Sequence, residues 1–102
     1  MSVITQLMPV QERIISAACV YFNTTESDLH KDIHLPEKSY KRALCSFLIR
    51  EHTGESFRQI AHRLQFKDHK SVSSAFKKID FQKHRYNYIR HDLQNISTIA
   101  SL

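Results

Sequence analysis

Glycine and proline are scarce in this chain of 102 residues, which contains one glycine and two prolines. A Walker loop, a dinucleotide-binding fingerprint and an α/β-hydrolase elbow each need more than one glycine, so these three motifs are excluded. A β-sandwich needs many turns, and turns are rich in both residues. The shortage of both therefore favours helices over strands.

Cysteine is also scarce, and long apolar runs are missing. Cys19 and Cys45 lie in apolar, helix-like stretches, which predicts free buried thiols rather than a disulfide framework. No stretch approaches the roughly 20 apolar residues of a membrane span, and the first residues lack the features of a signal peptide. We therefore expect a cytoplasmic protein with no membrane partner.

Basic side chains outnumber acidic ones over most of the sequence. Residues 1–37 hold two basic and five acidic side chains, whereas residues 38–102 hold thirteen basic and five acidic ones. A basic region behind a mildly acidic start is typical of proteins that bind a polyanion. A soluble basic surface is the alternative, and charge alone does not decide between the two.

The length suits one domain with a single core. We predict a flexible N-terminal segment over residues 1–8 and one helical domain over residues 9–102. Apolar residues at helical spacing predict four helices outside the central motif described next. Their bounds are Pro9 to about Phe22, Thr25 to about Leu29, Pro36 to about His52 before the capping Gly54, and about 84 to 99. The predicted fold class is therefore all-α, a small bundle of five or six helices.

The stretch from Ser56 to Ile79 carries the strongest pattern in the sequence. Ser56 and Gln59 can form a capping box for a first helix, and Asp68 can cap a second helix after a tight turn. Apolar residues at i, i+3, i+4 and i+7 then predict one buried stripe on the second helix. These are Val72, Ala75, Phe76 and Ile79. With basic and hydroxyl side chains left outside, the pattern predicts a helix-turn-helix that enters the major groove of DNA.

Several segments match a known family in residue type and spacing. They are Arg42-Ala43-Leu44, Arg50 to Ser56, Gln59-Ile60-Ala61, Lys67 to Val72, and Ala75 to Ile79. These segments resemble the C-terminal DNA-binding domain of the bacterial replication initiator DnaA, most strongly over Ala43–Ile79 and less so over residues 10–100. The Trp repressor is similar in fold. The resemblance implies a stand-alone domain that binds double-stranded DNA in replication control or transcription regulation, located with the nucleoid. It also implies a monomer.

The resemblance places DNA contacts on the second helix of the motif, whose first turn would read bases and phosphates. The predicted DNA-binding residues are Arg58, Lys67, Asp68, His69, Lys70, Ser71, Ser74, Lys77 and Lys78. Further candidates for phosphate contacts are Lys38, Lys41 and Arg42, at the start of the long helix. Each residue taken singly also has an ordinary explanation, since Asp68 is first of all a helix cap and exposed lysines are usually solvated.

Two departures from the family pattern motivate a rival function. Lys70 stands where the family has a threonine, and lysine favours guanine or phosphate over a thymine methyl group. The family's arginine-rich loop, which reaches the minor groove, corresponds here to residues 31–38, with no arginine and two acids. The alternative is a protein–protein adaptor that kept the fold but lost base reading. An exposed apolar patch at Ile33, Leu35 or the tail over 96–102 would favour it.

Metal binding and catalysis find little support. His30 and His34 are spaced i, i+4, but no CxxC or HExxH motif accompanies them, and zinc needs three or four converging ligands. No nucleophile lies in an elbow, and no carboxylate pair in apolar surroundings is visible. We predict no metal, no cofactor, no catalytic residue and no small-molecule substrate.

Phenylalanines recur along the basic part of the chain. Their helical spacing predicts core residues rather than an exposed platform that stacks on single strands. They are Phe47, Phe57, Phe66, Phe76 and Phe81.

Overall fold

Helices make up nearly all of the regular structure. The computed structural model describes the backbone of residues 8–30 and 36–102 and the side chains of residues 8–29 and 40–102. Those residues form six helices and no strand. They are α1 (Val10–Phe22), α2 (Glu26–His30), α3 (Pro36–Thr53), α4 (Phe57–Leu64), α5 (His69–Gln82) and α6 (Asn87–Ile99). The predicted all-α fold class is confirmed, while the division at residue 8 stays a prediction.

Local capping explains where most helices begin and end. Thr25 Oγ1 accepts a hydrogen bond from the Asp28 amide at 3.1 Å, which starts α2 as predicted. Gly54 follows α3 with a φ of +70°, a conformation that glycine adopts without strain, and its amide donates to Arg50 O. The last helix begins at Asn87 rather than near residue 84, because the Arg85 and Tyr86 amides both donate to Gln82 O in a turn.

Helix α3 is central to the bundle. It packs against each of the other five helices, and every residue from Arg42 to Ile49 is buried. Apolar residues at helical spacing predict a helix with one inward face, which would include Leu44 and Phe47. The burial instead runs around the whole helix at this level, as is typical of a helix surrounded by others. Within the described residues, no helix combines the length and apolar character that a bilayer span requires.

Aromatic rings fill the space between α3, α4 and α5. Phe76 stacks on Phe47 with ring centroids 5.1 Å apart and contacts Phe57 at 5.7 Å, so these phenylalanines pack in or against the core as predicted. The core prediction for Phe81 is wrong, because its side chain is 63% exposed. Phe81 lies two residues beyond the buried Ile79, a turn of roughly 200° that carries it to the outer face of α5.

The two cysteines are free, as predicted. Cys45 is fully buried in α3, and burial raises the pKa of its thiol to about 12. Cys19 is only half-buried, so the prediction of two fully buried thiols holds for Cys45 alone.

A polar contact joins α1, α3 and α6. The hydroxyl groups of Tyr21 and Tyr40 donate to the two carboxylate oxygens of Asp92, each at 2.6 Å. Burial, together with the hydrogen bond to Asp92, raises the pKa of Tyr40, and the hydrogen bond to Asp92 raises the pKa of Tyr21. Hydrogen bonds to a charged acceptor are stronger than neutral ones, so this contact holds three helices in register.

Replacing Tyr40 with Phe tests this contact. We expect the variant to lose about 1 kcal/mol of unfolding free energy at neutral pH, since one charge-assisted hydrogen bond disappears. The pKa of Tyr40 is higher in the fold than in the unfolded chain, so its contribution is complete below a pH of about 10 and is lost as the pH rises further. Urea unfolding across an alkaline pH series should therefore show the two stability curves converging above that pH. Ionisation of Cys45 affects both proteins alike, and a constant gap would contradict the assignment.

Candidate nucleic-acid interface

Helices α4 and α5 form the helix-turn-helix, and side-chain caps define both helix starts. Ser56 Oγ accepts from the Gln59 amide at 3.1 Å, and Gln59 Oε1 accepts from the Ser56 amide at 3.0 Å, which completes the predicted capping box. Helix α4 ends at Gln65 in the left-handed conformation, with a φ of +58°. Asp68 then caps α5, so the motif has the boundaries expected from the sequence.

The buried guanidinium of Arg42 holds the turn of the motif. Its Nη1 donates to the carbonyl oxygens of Leu64 and Gln65, both at 3.0 Å, and its guanidinium carbon lies 4.3 Å from the centre of the Phe66 ring. These carbonyls belong to the end of α4, where the helix leaves acceptors without internal partners. Burial lowers the pKa of Arg42 from its ordinary value.

The prediction that Arg42 contacts phosphate is wrong. Its side chain is 3% exposed, and its Nη1 donates to the protein's own backbone, while Nε is buried without a hydrogen-bond partner. Arg42 is therefore a structural residue that positions the helix-turn-helix from inside.

A second set of contacts fixes the start of α4. Arg63 makes a two-point ion pair with Glu55, with Nη2 to Oε2 at 2.7 Å and Nε to Oε1 at 3.3 Å. Gln11 of α1 donates to the same carboxylate, and Arg50 donates to the Glu55 carbonyl oxygen at 2.6 Å. Arg63 is thus engaged within the fold, which distinguishes it from the exposed Arg58 on the same helix.

The first turn of α5 is organised by Asp68. Its Oδ1 accepts from the Ser71 amide at 2.9 Å and from the Ser71 hydroxyl at 3.0 Å. The hydrogen bond from the Ser71 amide is the main cause of the lowered pKa of Asp68, whose carboxylate is exposed. Ser71 therefore donates inside the protein, and its hydroxyl oxygen keeps lone pairs that can accept a hydrogen bond from outside.

The structure brings most of the predicted DNA-binding residues to one surface. Lys70, Ser74 and Lys77 follow at i, i+4 and i+7 and lie opposite the buried stripe of α5. Lys78 lies on the flank, at a groove that Tyr40 and Tyr88 also line. Among the predicted DNA-binding residues, Ser71 is half-buried. The others are exposed: Arg58, Lys67, Asp68, His69, Lys70, Ser74, Lys77 and Lys78.

Two further candidates for phosphate contacts, Lys41 and Lys38, belong to the start of α3. Lys41 is half-buried, and its Nζ lies 5.1 Å from the centre of the Phe22 ring of α1. The backbone of Lys38 belongs to α3, but its side chain is outside the described residues. Phosphate contacts by these two lysines stay predictions.

The sequence of this helix-turn-helix region matches a known family. Residues 11–79 match the family described as the bacterial dnaA protein helix-turn-helix. The chain belongs to this family. The match covers α4 and nearly all of α5, so the predicted resemblance to the DnaA C-terminal domain is confirmed. The helix-turn-helix of the DnaA family is a domain that binds double-stranded DNA and is not a catalytic domain.

A relative with a known name extends this result. The chromosomal replication initiator protein DnaA of Gloeobacter violaceus (strain ATCC 29082 / PCC 7421) is 31% identical to the chain over 85 residues. The match includes 83% of the chain, which spans 19% of the length of that relative. Within the described part of the chain, no group of three or more histidine, cysteine, aspartate or glutamate side chains is placed to hold a metal ion.

The role of Arg42 in holding the turn can be tested by replacing it with Met, which keeps much of the side-chain length but removes the hydrogen-bond donors. We expect a loss of roughly 2 kcal/mol in unfolding free energy, since two backbone carbonyls lose a charged donor. A matched Lys70→Met variant should change stability by less than about 0.5 kcal/mol, because Lys70 is exposed. Urea unfolding followed by circular dichroism measures both. Equal stability of the two variants would contradict this role of Arg42.

Proposed function

We propose that this DnaA-family domain binds double-stranded DNA with α5 as the recognition helix, beginning at Asp68. The observation that supports it best is the line of Lys70, Ser74 and Lys77, exposed along α5 and opposite its buried stripe. A helix presented in this way can lie in the major groove, while α4 crosses the DNA backbone.

Base reading is assigned to the first turns of α5. Lys70 can donate to guanine O6 and N7, and His69 and Ser74 can form hydrogen bonds to base edges or phosphates. The Asp68 carboxylate and the Ser71 hydroxyl oxygen are acceptors, so they suit an amino group of cytosine or adenine rather than a phosphate. The mutual bond between Asp68 and Ser71 holds both acceptors in fixed positions before DNA arrives.

Phosphate contacts are assigned to the basic side chains around that turn. Residues 56–82 contain six basic and two acidic side chains. Both acids are partnered, Asp68 with Ser71 and Asp80 with Lys83 at 3.2 Å. Arg58, Lys67, Lys77 and Lys78 are exposed and can neutralise phosphates with release of counterions. Lys38 and Lys41 are kept as further candidates.

The biological setting we propose is replication control, by analogy with the Gloeobacter relative, a chromosomal replication initiator protein, with transcription regulation as the alternative. Either setting implies a location with the nucleoid, and the resemblance to the initiator favours a monomer over the dimer that many helix-turn-helix proteins form. In the tail over 96–102, named for the rival adaptor function, Ile96 and Ala100 are fully buried, and Leu102 is the one large apolar side chain exposed there, so this tail presents a single apolar side chain rather than a patch. Ile33 and Leu35, the other residues named for an adaptor patch, lie outside the described residues.

The proposal predicts distinct effects for base and phosphate contacts. Lys70→Ala should weaken binding to a preferred duplex by roughly 1–3 kcal/mol and reduce its preference over a scrambled duplex. Lys77→Gln should weaken binding to all duplexes similarly and lower the salt slope by about 1. Fluorescence anisotropy across a salt series, with an initiator-box duplex, a scrambled duplex and a random pool, measures both effects.

Arg90→Gln is the matched control for that experiment, because it removes one exposed positive charge from α6, outside the helix-turn-helix. Its affinity should remain close to that of the unaltered chain. Absence of binding at low salt would refute the proposal. So would a loss in Arg90→Gln as large as that in Lys77→Gln, because binding would then follow net charge rather than the α5 surface.

A further inference from the structure

Exposed aromatic rings gather where α5 ends and α6 begins. Phe81 is 63% exposed, Tyr88 57% and Tyr86 44%. These are three of the five large hydrophobic side chains exposed in the described residues, and the duplex-binding surface uses none of them. A cluster of this kind on a small domain commonly marks a binding site.

Three tyrosine rings form a connected row, one cationic side chain lies beside that row, and another lies beside Phe81. Tyr86 and Tyr88 have centroids 5.9 Å apart, and Tyr88 continues to Tyr40 at 6.0 Å. The Arg85 guanidinium carbon lies 5.6 Å from the centre of the Phe81 ring. Lys78 lines the groove beside Tyr40 and Tyr88. We call this surface the aromatic ledge, defined by Tyr40, Lys78, Phe81, Arg85, Tyr86 and Tyr88.

We propose that the aromatic ledge binds single-stranded nucleic acid by stacking on its unpaired bases. Every base has a π face, and aromatic rings interleaved with cations bind single strands with little dependence on sequence. The bases of a duplex are covered above and below by their neighbours, so their faces are not accessible to these rings. The chemistry of the ledge therefore suits an unpaired strand and differs from that of the first turn of α5.

The charge around the ledge favours a polyanion over a second copy of the chain. Residues 77–90 contain five basic and one acidic side chain. The one acid, Asp80, is paired with Lys83 at 3.2 Å. Asp92, the next carboxylate along α6, accepts the hydroxyls of Tyr21 and Tyr40. Two such surfaces would repel each other, whereas a phosphate backbone would be attracted.

The ledge is far enough from the first turn of α5 to act separately. Asp68 and Phe81 are separated by roughly 20 Å along the helix axis. The inference does not depend on duplex binding, since no residue of the ledge except Lys78 has a role in that proposal. Because Lys78 is shared, the two proposals are separated by Tyr88→Ala, which leaves every proposed duplex contact in place.

The test measures binding of a labelled thymidine oligonucleotide by fluorescence anisotropy, with Tyr88→Ala and Phe81→Ala variants. We expect each variant to weaken single-strand binding roughly tenfold, the loss typical of one base stacked on an aromatic ring. Tyr88→Phe, which keeps the ring, should bind as the unaltered chain does. Tyr88→Ala should leave duplex affinity unchanged, because Tyr88 lies on α6.

Two controls separate stacking from simpler explanations. Val20→Ala alters a side chain on α1 that is as exposed as Tyr88, at 57%, and should have no effect. An abasic oligonucleotide of the same length carries the phosphates without the bases and should compete poorly. The inference is overturned if the single strand does not bind, if Tyr88→Ala binds it normally, or if the abasic strand competes equally well. A dimer in sedimentation that Tyr88→Ala dissociates would also overturn it, because the ledge would then be a self-association surface.

Discussion

The packing of α3 against the other five helices determines how they are arranged. Arg42 connects α3 to the turn of the helix-turn-helix. A helix buried on every side from Arg42 to Ile49 holds a charged side chain at a high cost unless hydrogen-bond acceptors meet that charge, and Nη1 of Arg42 has two. Here the acceptors are the carbonyl oxygens of Leu64 and Gln65, which the end of α4 leaves without helical partners. The Arg42 guanidinium thus gains acceptors, and the carbonyl oxygens at the end of α4 gain a donor. These hydrogen bonds fix the turn of the helix-turn-helix.

Once the turn is fixed, the orientation of α5 follows from packing. Val72 and Ile79 are buried, and Phe76 packs between Phe47 and Phe57. These contacts determine which residues face outward, so Lys70, Ser74 and Lys77 need no other interaction to be presented. Under the proposed function, stability and binding use different faces of α5, which is why Arg42 and Lys70 are expected to affect different measurements.

Interactions between residues close together in the sequence could be predicted, whereas interactions between residues far apart in the sequence could not. The caps at Ser56, Asp68 and Gly54 connect residues at most four positions apart, so their helix boundaries could be predicted. Arg42 bonds to residues 22 and 23 positions away, and nothing in the local pattern distinguishes it from the neighbouring Lys41. The exposure of Phe81 was available from the sequence, because Phe81 falls outside the stripe that ends at Ile79. The core prediction relied on the helical spacing of the phenylalanines along the chain, whereas the phase of the buried stripe within α5 was the better guide.

Phe81 also shows why the end of α5 differs in chemistry from its start. An exposed aromatic ring forgoes the roughly 1.5–3 kcal/mol that burial of such a side chain provides, so the fold gains little from having it there. The core stripe is complete without it, and Arg85 above the ring adds a cation rather than a cover from solvent. At the start of α5 the side chains are hydrogen-bonding groups that suit the edges of paired bases. At its end they are π faces with cations, which suit the faces of unpaired ones. Under the two proposals, α5 thus offers hydrogen-bonding groups to paired bases at its start and one exposed ring, that of Phe81, to unpaired bases at its end.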